Sequence, residues 1–328
     1  MGTSKWVTPG GGLPIAHSQP DEHEWETAGR QDLFASIMKI YLNGQIIEAS
    51  DAFIPITDRS FLFGEGIFET FRTYDGKIPF LEKHLNRLEW SAAFVGLPCP
   101  HPQEIKEGIK KVLSENQLEN ARVKVVLSGL NPETAPGKIS LATTLLTDSS
   151  KINLLIFCGP VGAPTAKEYE KGVSLGIIHS VRNEPHPIST IKSTSRLTKM
   201  VAMKEIAEKN LFDGILLNST GHVTETTTSN IFWVSGEKIY TPPLTAGLLQ
   251  GVTRDVVMED LKKGGVDIRE ALITPTELIL ASEIFLTSSI LEVMPVSEID
   301  SQKIGSGKPG PVTKRVIKLY ETRLEQEI

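Results

Sequence analysis

Apolar and polar residues first fall into a regular pattern at residue 38, in "MKIYLNGQIIEASDAFIPI". Two β-rich runs flank Asn43-Gly44, the dipeptide that most strongly signals a tight hairpin. The period then lengthens. Apolar residues three and four apart predict a helix over about 80–95, "FLEKHLNRLEWSAAFVG", which Gly96 and Pro98 can stop. A second helix is expected over about 102–116, with Ile105, Ile109, Val112 and Leu113 as its apolar stripe. "ARVKVVLS" (121–128) alternates as a strand, and "INLLIFCG" (152–159) reads as a buried one.

The Gly- and Pro-rich stretch "GPVGAPTAKEYEKG" (159–172) divides the chain. The expected organisation is a small N-terminal α/β domain over 38–158, a linker at 159–167 and a larger domain over 168–328. The second half opens with the strand "GVSLGIIHSVR", followed by a helix ending near 210. "DGILLNSTGHVTETTTSNIFWVSGEKIYTPP" predicts a meander of short strands broken at Ser219-Thr220-Gly221 and at Ser235-Gly236. A helix is expected from Gly251 to Gly264-Gly265. Thr274-Pro275-Thr276-Glu277 has the form of a capping box with proline at the first helical position. Strands "EIFLTSS" and "EVMPVSEI" complete a mixed α/β (α+β) pattern without an internal repeat.

Composition narrows the classes. With 40% apolar and 23% charged residues, the 328-residue chain can bury substantial cores. A net charge of −6 without a basic run gives no electrostatic footprint for nucleic acid or an anionic membrane. No apolar stretch is long enough to span a bilayer. Two distant cysteines, Cys99 and Cys158, argue against a disulfide scaffold and fit the cytoplasm. Residues 1–37 lack periodicity and the basic and apolar regions of a secretion signal, and read as a flexible extension.

Most common cofactor motifs are absent. "FGEGIFET" contains a GxG, but Glu69 stands where a dinucleotide fingerprint needs glycine or alanine. No phosphate loop, zinc motif or nucleophile elbow is present. What remains suits an anionic cofactor. Gly251 and Thr253 stand at a helix N-terminus, where free N–H groups and the helix dipole favour phosphate. His84 and Arg87 lie one turn apart on a helix, and Arg87 can clamp the same anion through its planar fork. "TSS" (287–289) adds hydroxyl donors after a strand.

Two further residues stand out. Glu225, in "VTETTTSN", lies among hydroxyl-bearing β-branched residues; it is either an edge-strand carboxylate or the partner of a protonated ring nitrogen. Lys192, in "ISTIKSTSRLTK", follows a β-branched run and precedes small hydroxyl residues. That setting suits a lysine of lowered pKa that forms an imine with an aldehyde cofactor.

These segments, "DRSFLFGEGIFETFRTYDGKIPFLEKHLNRL", "IKSTSRL", "GHVTETTTSNIF", "TPPLTAGLLQGVTR" and "EIFLTSSILEVMPV", resemble in order and spacing the class IV aminotransferases. These are pyridoxal 5'-phosphate enzymes of fold type IV. The resemblance covers about 38–328 and implies two domains with the active site between them. It further implies that Lys192 forms the internal aldimine and shuttles the proton, and that Glu225 pairs with the pyridine nitrogen. Arg87, Gly251, Val252, Thr253, Ser288 and Ser289 would hold the cofactor, and Phe68 would face the substrate. Arg72, Arg122 and Lys124 are either the groups that grip substrate carboxylates or exposed strand charges. Homodimers are usual in the family.

The reaction is less sharply marked. The family includes branched-chain and D-amino acid transaminases, R-selective amine transaminases and 4-amino-4-deoxychorismate lyases. Branched-chain enzymes typically read "FEGIR" where this chain has "FETFR", and carry a tyrosine five residues after the lysine where this chain has Leu197. "ARVKVVLS" resembles the lyases, yet "SGLNPETAPGK" lacks both their arginine- and glycine-rich stretch and the Arg/His pair of D-amino acid transaminases. A transaminase acting between an amino acid or amine and a 2-keto acid is taken first, and the pyruvate-eliminating lyase second. A cofactor-binding protein without catalysis would be expected to have lost Lys192 or Glu225, and both are present.

Overall fold

A computed structural model of the chain describes residues 38–130 and 151–328. The N-terminal extension and most of the "SGLNPETAPGK" loop lie outside the described residues.

The first sheet is built from β1 (Lys39–Leu42), β2 (Gln45–Glu48), β3 (Gly66–Arg72), β4 (Arg122–Gly129) and β5 (Ile152–Gly159), in the order β2-β1-β5-β4-β3. Every pair is antiparallel. The Asn43-Gly44 hairpin forms as expected. Both residues take positive φ, +50° and +92°, which asparagine tolerates and glycine adopts freely. Helix α1 (Arg59–Phe63) precedes β3; α2 (Leu81–Val95) and α3 (Pro102–Glu115) follow it. Alternation along β3 puts Ile67, Glu69 and Phe71 on the face covered by α2 and α3, where Leu85, Leu88, Ile105 and Ile109 complete a core. Phe68, Thr70 and Arg72 point the other way. In the sequence this segment reads only as a glycine motif; in the structure it is a strand.

Helix α4 (Ala166–Lys171) starts with a Thr165/Glu168 capping box, so the end of the 159–172 stretch is helical rather than irregular. The second sheet contains β6 (Val173–Ile177), β7 (Asp213–Leu217), β8 (Val223–Thr226), β9 (Asn230–Ser235), β10 (Lys238–Thr241), β11 (Ile268–Glu270), β12 (Glu283–Ser288), β13 (Glu292–Ile299) and β14 (Gln302–Lys303). Their order is β11-β10-β9-β12-β13-β6-β7-β8, with β14 on β13. The expected meander is therefore two hairpins, β7-β8 and β9-β10, with β12, β13 and β6 between them. Side chains cause the break. Asp213 accepts hydrogen bonds from the Thr227 and Thr228 hydroxyls, and Thr226 is bonded to Ser229, so the chain turns away before β9.

Helices α5 (Leu197–Glu208), α6 (Val252–Lys263), α7 (Pro275–Leu278) and α8 (Pro311–Glu327) complete the fold. One face of the second sheet packs on α6 and α8 through Val256, Val257, Val316 and Tyr320, around the stacked rings of Phe232 and Phe285 (centroids 4.9 Å apart). The apolar residues of the opposite face, among them Leu175, Ile215, Leu286 and Met294, form a separate core.

Among the described residues, a seam of backbone bonds ties the edge of the first sheet to the segment that leads into α5. Phe68 N–H donates to the Lys192 carbonyl at 2.8 Å, and Thr194 N–H to the Gly66 carbonyl at 2.9 Å. Residues 192–194 thereby add a short bridge to the free edge of β3. That seam fixes Lys192 beside Phe68.

Candidate active site

A cavity of about 650 Å³ opens where the seam, β3, β8 and the start of α6 converge. Lys192 enters it half-buried, with Nζ 5.0 Å from the centre of the Phe68 ring. Nζ makes no hydrogen bond to any described residue. Burial, reinforced by the Arg87 charge, lowers its pKa from 10.5 to about 7. An amine of that kind is neutral in a large fraction of molecules at physiological pH, and is nucleophilic.

Glu225 faces the same space. Strand β8 lies at the edge of its sheet, yet Glu225 is only 4% exposed because its side chain turns into the cavity. Lys199 Nζ donates to Oε1 at 2.8 Å and Asn183 Nδ2 at 3.3 Å, while Leu249 N–H donates to Oε2 at 3.2 Å. Three donors hold the carboxylate in place. Only one of them reaches Oε2, which leaves that oxygen able to accept a further N–H.

The third group is an anion cradle. Helix α6 begins at Gly251 with no side-chain cap, so the N–H groups of Val252 and Thr253 open toward the cavity. A Cβ at position 251 would collide with Asn230 Oδ1, which is why the turn carries glycine. Arg87 donates through Nη1 to the Gln250 carbonyl at 2.7 Å, directly beside that helix start. Its Nε and Nη2 each donate to Glu69 at 2.7 Å, and Glu69 accepts from His84 Nδ1 at 2.8 Å. Glu69 is fully buried. Burial alone would raise its pKa, but the Arg87 guanidinium and His84 outweigh this and hold it well below the usual carboxylate range. The buried hydroxyls of Ser229 and Thr287 also line the cavity and have no hydrogen-bond partner among the described residues.

Most of the residues expected from the sequence therefore line one space: Phe68, Arg87, Arg122, Lys192, Glu225, Gly251, Val252, Thr253, Ser288 and Ser289. Two do not. Arg72 is at the end of β3 and bonds Glu292 at 2.8 Å, its guanidinium lying 4.6 Å from the centre of the Tyr74 ring. The alternation placed it on the correct face, but the turn into β13 captures it. Lys124 is set back behind Phe68, with Nζ 4.6 Å from that ring's centre. Leu197, where branched-chain enzymes carry tyrosine, is 77% exposed and away from the cavity.

Lys199, Asn183, Arg196 and Glu69 are parts of the arrangement that sequence reasoning missed. Lys199 lies seven residues beyond Lys192, and only the turn at 193–196 brings it back. Glu69 is visible in the sequence merely as the residue that spoils a dinucleotide fingerprint.

The family model described as "Amino-transferase class IV" matches residues 66–299, more than half of the chain and every element around this cavity. The chain belongs to the class IV aminotransferases. It is 33% identical to the D-alanine aminotransferase of Bacillus licheniformis over 89% of this chain and 97% of that protein. It is 32% identical to the aminodeoxychorismate lyase of Bacillus subtilis over 88% and 96%. Among solved structures, the Escherichia coli branched-chain amino acid aminotransferase superposes with a TM-score of 0.77 at 26% identity, covering 89% of this chain and 96% of that one. A second branched-chain amino acid aminotransferase, solved with pyridoxamine 5'-phosphate, superposes with a TM-score of 0.78 at 25% identity, covering 88% and 95%. The class IV cofactor is pyridoxal 5'-phosphate, and the residues present fit it: a neutralisable amine, a carboxylate with an open oxygen, and free N–H groups with an arginine for a phosphate.

Proposed function

We propose that this class IV aminotransferase moves an amino group between an amino acid or amine and a 2-keto acid. The observation that carries the reading is Lys192, an amine with no hydrogen-bond partner among the described residues and with a pKa of about 7, facing a pinned carboxylate across one cavity. Bound there, pyridoxal phosphate supplies an electron sink for the substrate's α-carbon. The protein does the rest. Glu225 holds a proton at the ring nitrogen, while Val252 N–H, Thr253 N–H, Arg87 and Ser289 hold the phosphate. Lys192 carries the proton to and from the reacting carbon. Arg122, which has no carboxylate partner among the described residues, orients a substrate carboxylate with Lys124 behind it.

Elimination of pyruvate from 4-amino-4-deoxychorismate is the second reading. The Bacillus subtilis relative supports it almost as strongly as the transaminase relative supports the first. The two readings share every residue role up to the fate of the α-carbon. Loading the enzyme with pyridoxal phosphate and adding D-alanine, L-leucine, L-glutamate or an R-amine singly, without a keto acid, separates them. The first reading expects one donor to bleach the visible band with release of one keto acid, or one ketone from the R-amine, per site. No bleaching by any donor, with pyruvate released from aminodeoxychorismate, would establish the second.

The two sheets also support a division into domains 38–158 and 168–328. Exposed Phe53, Ile56 and Phe61, near α1, and Leu197 at the start of α5 suit burial by a second copy in a homodimer, which sedimentation would test. The thiols Cys99 and Cys158 are free, as in a cytoplasmic protein. Among the described residues, no helix is long and apolar enough to cross a membrane.

A further inference from the structure

His84 is 2% exposed and belongs to a continuous chain of bonds, Arg87–Glu69–His84–Ser289. Its Nδ1 faces the Glu69 carboxylate at 2.8 Å and so carries a proton. Its Nε2 meets Ser289 Oγ at 3.3 Å. Burial, with the Arg87 and Lys192 charges, keeps the imidazole neutral against the pull of Glu69. No other described residue bonds Nε2; the Phe71 ring packs beside the imidazole with centroids 5.3 Å apart.

A neutral imidazole with its proton on Nδ1 has only a lone pair at Nε2. The hydrogen between Nε2 and Ser289 Oγ must then come from the serine. A serine that spends its proton on histidine presents only lone pairs to the cavity, and lone pairs repel a phosphate. If the serine rotates its proton toward the anion, Nε2 and Oγ are left facing each other without a hydrogen.

We propose that His84 is a positioning residue of the phosphate cradle: when the anion binds, Nε2 takes a proton from solvent and donates it to Ser289, freeing the serine hydroxyl to donate to phosphate. The charge balance favours the step. The incoming dianion offsets the Arg87 charge, which opposes an imidazolium, and Glu69 already sits against Nδ1. No bond other than the N–H forms, and the proton returns to solvent on release.

This rests on Ser289 touching the phosphate, and the test separates the two claims. The imidazole nitrogens are followed by NMR in isotope-labelled full-length apoprotein near neutral pH, with the His84 signals assigned from His84→Gln. Inorganic phosphate and pyridoxal phosphate are then added to saturation. The expected result is an unprotonated Nε2 before addition and two protonated nitrogens afterwards, a change that Ser289→Ala weakens together with about tenfold of the preference for pyridoxal phosphate over pyridoxal. An Nε2 that stays unprotonated while Ser289→Ala still costs that preference overturns the role of His84 alone. A preference untouched by Ser289→Ala removes Ser289 from the phosphate site, and this proposal with it.

Discussion

The two ends of the cavity are built on opposite plans. At the cradle end, a buried run of partners, Arg87, Glu69 and His84, is bonded atom to atom and leads into an uncapped helix start. At the other end, Arg122 and Arg196 line the wall and Lys124 stands behind Phe68, with no carboxylate partner among the described residues. Burial and the neighbouring cations lower the pKa of Lys124, and burial lowers that of Arg196. On the proposed reading, the first end holds the cofactor phosphate. The second, positive and without a carboxylate partner among the described residues, takes the substrate carboxylate.

Breaking the shared chemistry between the two ends should have the largest effect. Lys192→Ala is expected to lower turnover by roughly a thousandfold or more, measured in single-turnover reactions. The apoprotein should meanwhile melt a few degrees higher. The sign follows from the lowered pKa: between pH 7 and 10.5 the unfolded chain holds a lysine proton that the folded chain sheds, so the native lysine weakens folding there, fully below pH 7. Glu225→Gln should cost about a hundredfold in turnover while leaving phosphate-dependent cofactor binding nearly intact.

At the cradle end, Glu69→Gln leaves Arg87 buried with its charge uncompensated, and about 3–5 kcal/mol of stability should be lost in denaturant unfolding. The wild type should show the matching acid limb. With its folded-state pKa depressed, Glu69 contributes stability above the ordinary carboxylate range and loses it as pH falls below that range. The smallest effect is expected at the open end. Arg122→Ala should raise KM for a carboxylate substrate by about tenfold, with cofactor affinity unchanged. A fall in cofactor affinity there, or a KM effect from Glu69→Gln without loss of stability, would erase the distinction between the ends.

The legibility of the chain follows the same divide. Local patterns carried the hairpin at Asn43-Gly44, helices α2, α3 and α6, and the strand with Glu225, because each is specified by its own period and bounds. What depended on distant neighbours was hidden. Glu69 gains its meaning only when α2 lays His84 and Arg87 against β3. Lys199 reaches Glu225 only because the chain turns at 193–196. Arg72 is expected to grip substrate as Arg122 is, until Glu292 arrives from the other sheet. Helix α8 carries Val316, Tyr320 and Leu324 four apart, but the glycine- and proline-rich approach at 305–311 masks that period with the signals of a loop.

The central claim is that Lys192, and no other lysine in the cavity, is the amine that meets the cofactor. The direct measurement is to mix apoprotein with pyridoxal phosphate across a pH series, trap the adduct with borohydride and locate it by peptide mass spectrometry. The account predicts modification at Lys192, rising with a midpoint near pH 7. Modification at Lys199 or Lys124 instead, or a midpoint in the range of an ordinary lysine, would contradict it.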